Sequence, residues 1–438
     1  MLARFHREEH SRLLATLVRR FGDLDLAEDA ASEAMESALR SWPAQGVPRS
    51  PLAWLTTTAK RAALDRVRRD ATSARRLAEL HLLEGSPAAS SADHRALEEG
   101  ELPDDRLAML MGCCHPAIAP ADRIALMLRF VGSLSTSEVA QALLLPVPTL
   151  QARITRAKKR IASNSIPLTV PPDPAERERR LPLVLTAISL IFTEGYAATS
   201  GDTPIRRELT AEAIRLARLL HQLLPTAAEP QGLLALLLLT DARSPARQEA
   251  DGTPIPLEEQ DRSRWDQALR TEGLALAEEA AGREDAGRLT IQAAIAAVHA
   301  EAESFAATDW AQIVSLYSLL LQHGEDPVVR MNRAIAAGRA QSPREGLRRL
   351  QELAEEPELA RHHPFHAALA LLHEEAGQPR AAVTAWDSAL DLAENAGERR
   401  FLERRRARAH EAAAALESDA GLESGAAPEA GRSSAGPG

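Results

Sequence analysis

The sequence predicts an all-α protein, with small helical modules at its N-terminal end and a large helical C-terminal domain after them. Three observations carry this. Alanine, leucine, arginine and glutamate dominate, and alternating β-branched runs are almost absent. Apolar residues recur at helical spacing in one segment after another, and proline or glycine clusters separate those segments. At 438 residues the chain exceeds one ordinary domain, so two to four are expected.

Bulk properties remove several function classes. The formal net charge of −10 argues against a protein that coats nucleic acid indiscriminately, so any DNA contact has to come from local basic stripes. No run reaches the roughly twenty apolar residues that a membrane span requires, and the most apolar, 183–191 and 233–239, have polar flanks. The N-terminus meets charge at once, at Arg4, Arg7, Glu8 and Glu9, without an apolar signal core. A cytoplasmic location and no membrane partner are expected. The two cysteines, Cys113 and Cys114, are adjacent, a spacing that disulfide geometry rarely allows, and this fits a reducing compartment.

Residues 1–70 form the first module, amphipathic helices broken by a Pro-rich loop over 42–51. The helix over 24–36 has a crowded acidic face that includes Glu28, Asp29 and Glu33, with Met35 on the same helix. Acids in a first turn also suit the helix dipole, so a purely structural role stays open. Beyond the loop, Leu52, Leu55, Ala59, Ala63 and Val67 hold helical spacing, while Lys60, Arg61, Arg66, Arg68 and Arg69 make a basic surface. Trp54 lies on the apolar stripe and reads as a core anchor or as a base-stacking residue. Lys60 and Arg61 read as DNA contacts or as solvated charges. Residues 71–101, weakly patterned and Gly- and Ser-rich near 85–91, read as a flexible linker.

Residues 102–166 form the second module. Ser135 with Glu138 three positions on makes a capping box that starts one helix. After Leu144-Leu145-Pro146, Pro148 lies near the first position of the next, along which Leu150, Ile154, Ala157 and Ile161 form a buried stripe. The opposite face carries Arg153, Arg156, Lys158, Lys159 and Arg160 with no acid to offset them. Two short helices about a tight turn, the second one basic, fit a helix-turn-helix. Val147, Thr149, Gln151 and Arg153 would then face base edges, and Arg156 and Lys159 would lie near phosphates. A solvated basic face is the plain alternative. Cys113-Cys114-His115 lacks the paired spacing of a zinc site and reads as core.

A Pro-rich stretch at 167–174 leads into the large helical region, 175–416, and then a Ser-, Gly-, Ala- and Pro-rich tail, 417–438, expected to be disordered. Residues 377–392 match the second half of a tetratricopeptide repeat: glycine at a turn, small residues for close packing, then Trp386. Residues 326–335 and 342–353 look like preceding repeat helices, so stacked helical hairpins are expected. His299 with Glu303, and His362 with His363 and His366, have spacings a metal could use, but such histidines are more often packed or solvated. No metal and no cofactor are expected. No nucleophile and base can be paired from the sequence, so an enzyme is not expected.

The order of these parts resembles the extracytoplasmic-function sigma factors of bacterial RNA polymerase, over residues 4–161. Ala27-Glu28-Asp29, with Glu33 following, matches the family's A-E-D signature; Pro51, Trp54 and Leu55 match its P-x-x-W-L signature; Asp65 and Arg68 match its D-x-x-R element. Ser32 stands where glutamine is common and Lys60 where asparagine is common, which bears on the details of polymerase docking and promoter preference. Region 175–416 resembles the long tetratricopeptide-like extension of a smaller group within the family, as do Arg206-Arg207-Glu208-Leu209 and Asp241-Ala242-Arg243.

The resemblance implies sigma region 2 over 1–70 and region 4 over 102–166. It implies core RNA polymerase as the partner of Glu28, Asp29, Glu33 and Met35. It assigns the minus-ten promoter element to the loop over 42–51 together with Pro51, Trp54, Lys60, Arg61, Arg66, Arg68 and Arg69, and the minus-thirty-five element to Val147, Thr149, Gln151, Arg153, Arg156 and Lys159. Opening DNA without ATP has to be driven by binding, and a pocket for an extruded base plus cations along the single strand can supply that. The extension is expected to gate or support promoter binding in place of a separate anti-sigma partner, by touching the sigma modules or a peptide or protein partner. The alternative is a helix-turn-helix regulator with a helical sensor domain that does not bind polymerase.

Overall fold

A computed structural model describes residues 2–82, 105–143, 145–196 and 206–425. Among these residues the regular elements are helices, with one isolated β-bridge between Gln248 and Pro254. The all-α expectation holds. The chain divides into two compact units, Met1–Leu237 and Leu238–Gly438.

The first unit opens with α1 (Leu2–Phe21), α2 (Leu24–Gln45) and α3 (Pro51–Leu82). Asp23 caps α2, its carboxylate accepting the backbone N–H groups of Asp25 and Leu26 at 2.8 and 3.0 Å. The buried stripe of α2 is mostly alanine (Ala27, Ala30, Ala31, Ala34, Ala38), and α3 packs on α2 with Leu55, Ala59 and Ala63 fully buried.

Two boundaries differ from those expected. The helix α2 runs through Pro43 to Gln45, so the Pro-rich loop shrinks to residues 46–50. Pro43, which lacks an N–H, cannot make the usual bond to the carbonyl four residues before it, but Trp42 is a buried helical residue set edge-on to Trp54 at 5.6 Å, and that packing holds the last turn. The helix α3 continues to Leu82, past the expected end near residue 70. Its second half is rich in alanine, arginine and leucine and meets no glycine or proline before Gly85. The Gly- and Ser-rich part of the expected linker, 85–91, lies outside the described residues.

Next come α4 (Asp105–Cys113), α5 (Pro120–Phe130), α6 (Thr136–Ala142) and α7 (Val147–Ser163), then α8 (Pro174–Tyr196), α9 (Arg207–Leu223) and α10 (Ala228–Asp241). The helix α8 packs on α4 and α5, and α9 packs on α8 and α4. Cys113 and Cys114 are buried, with Cys114 Sγ 3.3 Å from Met127 Sδ. Burial pushes both thiols up, Cys114 to about 12.

The second unit is a run of helices: α11 (Gln267–Ala281), α12 (Arg288–Glu301), α13 (Trp310–Leu321), α14 (Pro327–Ala340), α15 (Pro343–Gln351), the short α16 (Pro357–Ala360), α17 (His363–Glu375), α18 (Pro379–Leu392) and α19 (Ala396–Gly425). Apart from α16, each packs on its successor in the stacked-hairpin manner of tetratricopeptide repeats. Asp326 caps α14 and Ser342 caps α15, each followed by proline at the first helical turn. Gly377, at φ +71°, makes the left-handed turn between α17 and α18. Fully buried Trp386 donates its indole N–H to Glu374 at 2.7 Å.

The helix α19 reaches Gly425, into the tail expected to be disordered from residue 417, because that stretch keeps helix-forming alanine, leucine and glutamate and has no proline before Pro428. The charged loop over 242–266 is pinned to helices by Glu258 with Arg339 at 3.1 Å and Glu249 with Arg404 at 2.9 Å. His299 lies edge-on to Trp310 at 5.3 Å, and burial together with Arg243 and Arg262 pushes its pKa down to about 4, which leaves a neutral packed ring. Among the described residues, no cluster of three or more His, Cys, Asp or Glu is arranged to hold a metal ion, and no helix is long and apolar enough to cross a membrane.

Candidate functional site

The α6–α7 pair is held at its start by a complete capping box. Ser135 Oγ accepts the Glu138 N–H at 3.2 Å, and Glu138 Oε2 accepts the Ser135 N–H at 2.6 Å. Along α7, Leu150, Ala157 and Ile161 are buried and Ile154 is half-buried, so the apolar stripe faces inward as the spacing requires. That orientation exposes Val147, Thr149 and Gln151 at the N-terminal end of α7, and Arg156 and Lys159 further along; Arg153 is half-buried. Beside Arg156 and Lys159 an open cleft of about 610 Å³ runs along Ile118, Pro120 and Arg160. The residues expected to read the minus-thirty-five element thus share one helix, with base-facing candidates first and cations after.

The expectation of a basic face without acids needs correction. The Lys158 side chain is only 14% exposed and donates to Asp25 Oδ1 at 2.7 Å and to Glu28 Oε2. Arg129 reaches the other Glu28 oxygen at 3.3 Å, and the Lys158 ammonium also sits 5.3 Å from the Phe130 ring centre. Burial by itself would lower the Lys158 pKa, but the hydrogen bonds and charges of Asp25 and Glu28 outweigh it and hold it above the usual lysine value. Arg160 is partly engaged too, donating from Nε to the Ala117 carbonyl at 3.2 Å. The compensating acids are 130 and 133 positions away along the chain, so no local pattern could have revealed them.

In the first module, Asp29 and Glu33 are exposed, Met35 is half-buried, and Glu28 is half-buried beneath Lys158 and Arg129. On α3, Arg61, Arg66, Arg68 and Arg69 are exposed, while Pro51, Trp54 and Lys60 are half-buried. Arg66 pairs with Asp29 at 2.6 Å, which joins one residue expected at DNA to one expected at polymerase. Both side chains are about half exposed, so the pair contributes no more than about 1 kcal/mol. Trp54 packs on Trp42, the geometry of a core anchor.

The helix-turn-helix module is completed from beyond its own sequence. Gly112 lies against the backbone of Leu168, and a Cβ at Gly132 would come 2.8 Å from the Ile191 side chain, so both positions need glycine for close approach. Arg180 donates to the Met111 carbonyl at 2.8 Å. Arg106, nearly buried, pairs with Glu212 at 2.7 Å, and Glu138 of the capping box pairs through its other oxygen with Arg206 at 2.6 Å. No local pattern in the sequence marks Arg106, Arg180 or Glu212, and the motif around Arg206 does not name its partner.

Comparison with protein families decides what these modules are. Sigma-70 region 2 matches residues 5–72, and Sigma-70, region 4 matches residues 108–161. The chain belongs to the sigma factors of the extracytoplasmic-function type that carry a C-terminal extension. In this sigma factor, α1–α3 form region 2 and α4–α7 form region 4. The Family of unknown function (DUF6596) matches residues 180–281, which run from within α8 to the end of α11. An uncharacterized protein of Rhizobium meliloti (strain 1021) is 39% identical over 389 residues, covering 89% of this chain and 91% of that relative. The crystal structure of yeast Tom70 aligns with 90% of this chain and 81% of its own at 11% identity, with a TM-score of 0.34.

Proposed function

We propose that this sigma factor directs core RNA polymerase to promoters in two grips. In the first, Glu28, Asp29, Glu33 and Met35 on α2 dock the enzyme. Pro51, Trp54 and the cations Lys60, Arg61, Arg66, Arg68 and Arg69 on α3 engage the opened minus-ten element. In the second, Val147, Thr149, Gln151 and Arg153 read minus-thirty-five base edges while Arg156 and Lys159 hold phosphates. The observation that carries this reading is α7 itself: a capped helix pair whose second member keeps its apolar stripe inside and its base-facing and cationic residues outside. The C-terminal extension acts as a support or gate of promoter binding, since its first helices, α8 and α9, brace region 4 directly.

The test is reconstituted transcription with sigma-free core polymerase over a random promoter library. The full chain is expected to give discrete starts that depend on its presence and to co-elute with core. A folded chain that binds duplex DNA but neither co-elutes nor directs initiation at any template would establish a regulator instead.

A further inference from the structure

The contact between regions 2 and 4 places a cationic cluster on the acidic helix that docks polymerase in the proposed function. Lys158 bridges Asp25 and Glu28, and Arg129 takes the remaining oxygen of Glu28. A second clasp lies at the start of region 4, where Asp105 accepts from Arg19 at 2.9 Å and from Thr16 at 3.1 Å. Between the charged ends, α1 packs on α4, with Leu13, Leu14 and Leu17 of α1 and Leu107 and Leu110 of α4 buried. Charges lose hydration at such a contact and persist there only when paired. Here each carboxylate of the α2 end meets a cation from the other module.

We propose that the free chain holds itself closed, with region 4 covering the Asp25–Glu28 end of the acidic face of α2, and that polymerase loading requires this contact to open. The inference rests on the polymerase-docking role given above to α2. Both Glu28 oxygens are engaged and its side chain is only 23% exposed beneath Lys158 and Arg129, so region 4 covers the approach that a partner's cation would use. The modules are joined covalently through residues 83–104, so closing is intramolecular and needs no second protein. Affinity for polymerase is then the intrinsic affinity reduced by the open fraction. Asp29 and Glu33 stay exposed and offer a first foothold.

The experiment uses the full chain carrying Asp25→Cys and Lys158→Cys, treated with a short bismaleimide or, separately, with N-ethylmaleimide. The native Cys113 and Cys114 are buried and their thiols are pushed well up, so the reagents act on the new sites. Ready crosslinking is expected, with the linked protein binding core polymerase at least about tenfold more weakly than the capped, unlinked protein. The capped protein should bind several-fold more tightly than the unmodified natural sequence, since its clasp is broken. Failure to crosslink, or equal affinity of linked and capped forms, overturns the closed state and leaves the sigma reading standing. Absence of core binding by every form, natural sequence included, overturns the sigma reading and this inference with it.

Discussion

Regions 2 and 4 are both small modules built of helices, yet they are finished in different ways. The helices α2 and α3 of region 2 find their core partners in each other, through alanines and Leu55. Region 4 leaves Gly112, Gly132, Arg106 and Glu138 waiting for Leu168, Ile191, Glu212 and Arg206, all of which lie beyond α7. The part of the extension nearest region 4 is therefore structural in the ordinary sense. The support that the proposed function gives to the extension begins with this bracing by α8 and α9, and a role beyond support falls to the helices after α9.

The largest effect that could break this contrast comes from truncation. A chain ending at Ile166 loses Leu168, Ile191, Arg180 and Glu212 together. Burial of each large apolar side chain contributes about 1.5–3 kcal/mol, and the loss of a partner from a buried pair costs about 3–5 kcal/mol. The sum is comparable with the roughly 5–15 kcal/mol that holds a typical domain together. Region 4 is expected to unfold in that chain and to survive in one ending at residue 227, which retains α8 and α9. Thermal unfolding followed by circular dichroism distinguishes them; equal melting of region 4 in both would show that it closes its own core.

A smaller change sharpens the same contrast. Glu212→Ala removes the carboxylate that the nearly buried Arg106 meets at 2.7 Å and should cost about 3 kcal/mol, roughly 10 °C of melting temperature. Asp29→Ala breaks the half-exposed pair with Arg66 in region 2 and should cost no more than about 1 kcal/mol. Similar losses from the two variants would mean that Glu212 joins the modules no more firmly than a surface pair.

What the sequence shows of this molecule follows the range of each interaction. Ser135 and Glu138 sit one helical turn apart, so their capping box is legible, as are the inward stripe of α7 and the turn at Gly377. Helix ends are less legible: Pro43 and the Pro-rich run after it predict a loop, but burial of Trp42 on Trp54 carries α2 to Gln45. The helical pattern puts Lys158 on the solvated face, whereas its partners, Asp25 and Glu28, come from another module. Local signals are written in adjacent residues and distant pairings are not. The legible capping box also gives a modest prediction: Ser135→Ala removes the acceptor for the Glu138 N–H and should cost about 1 kcal/mol, seen as a lowered denaturation midpoint. An unchanged midpoint would mean that the Glu138–Arg206 pair alone fixes the start of α6.

The last and smallest effect separates cations that α7 leaves exposed from one already engaged within the protein. Arg156 and Lys159 are exposed and pair with no carboxylate among the described residues, so each is available to a phosphate. Arg156→Ala and Lys159→Ala should each reduce the slope of log affinity against log salt by about 0.9 on duplex promoter DNA without polymerase. Lys158→Ala should leave that slope unchanged, because the Lys158 charge is already neutralised by Asp25 and Glu28. A full-sized drop for Lys158→Ala, measured by fluorescence anisotropy from about 50 to 200 mM salt, would show that the ammonium leaves its carboxylates whenever duplex DNA is present. DNA alone, rather than polymerase, would then be sufficient to open the contact between regions 2 and 4.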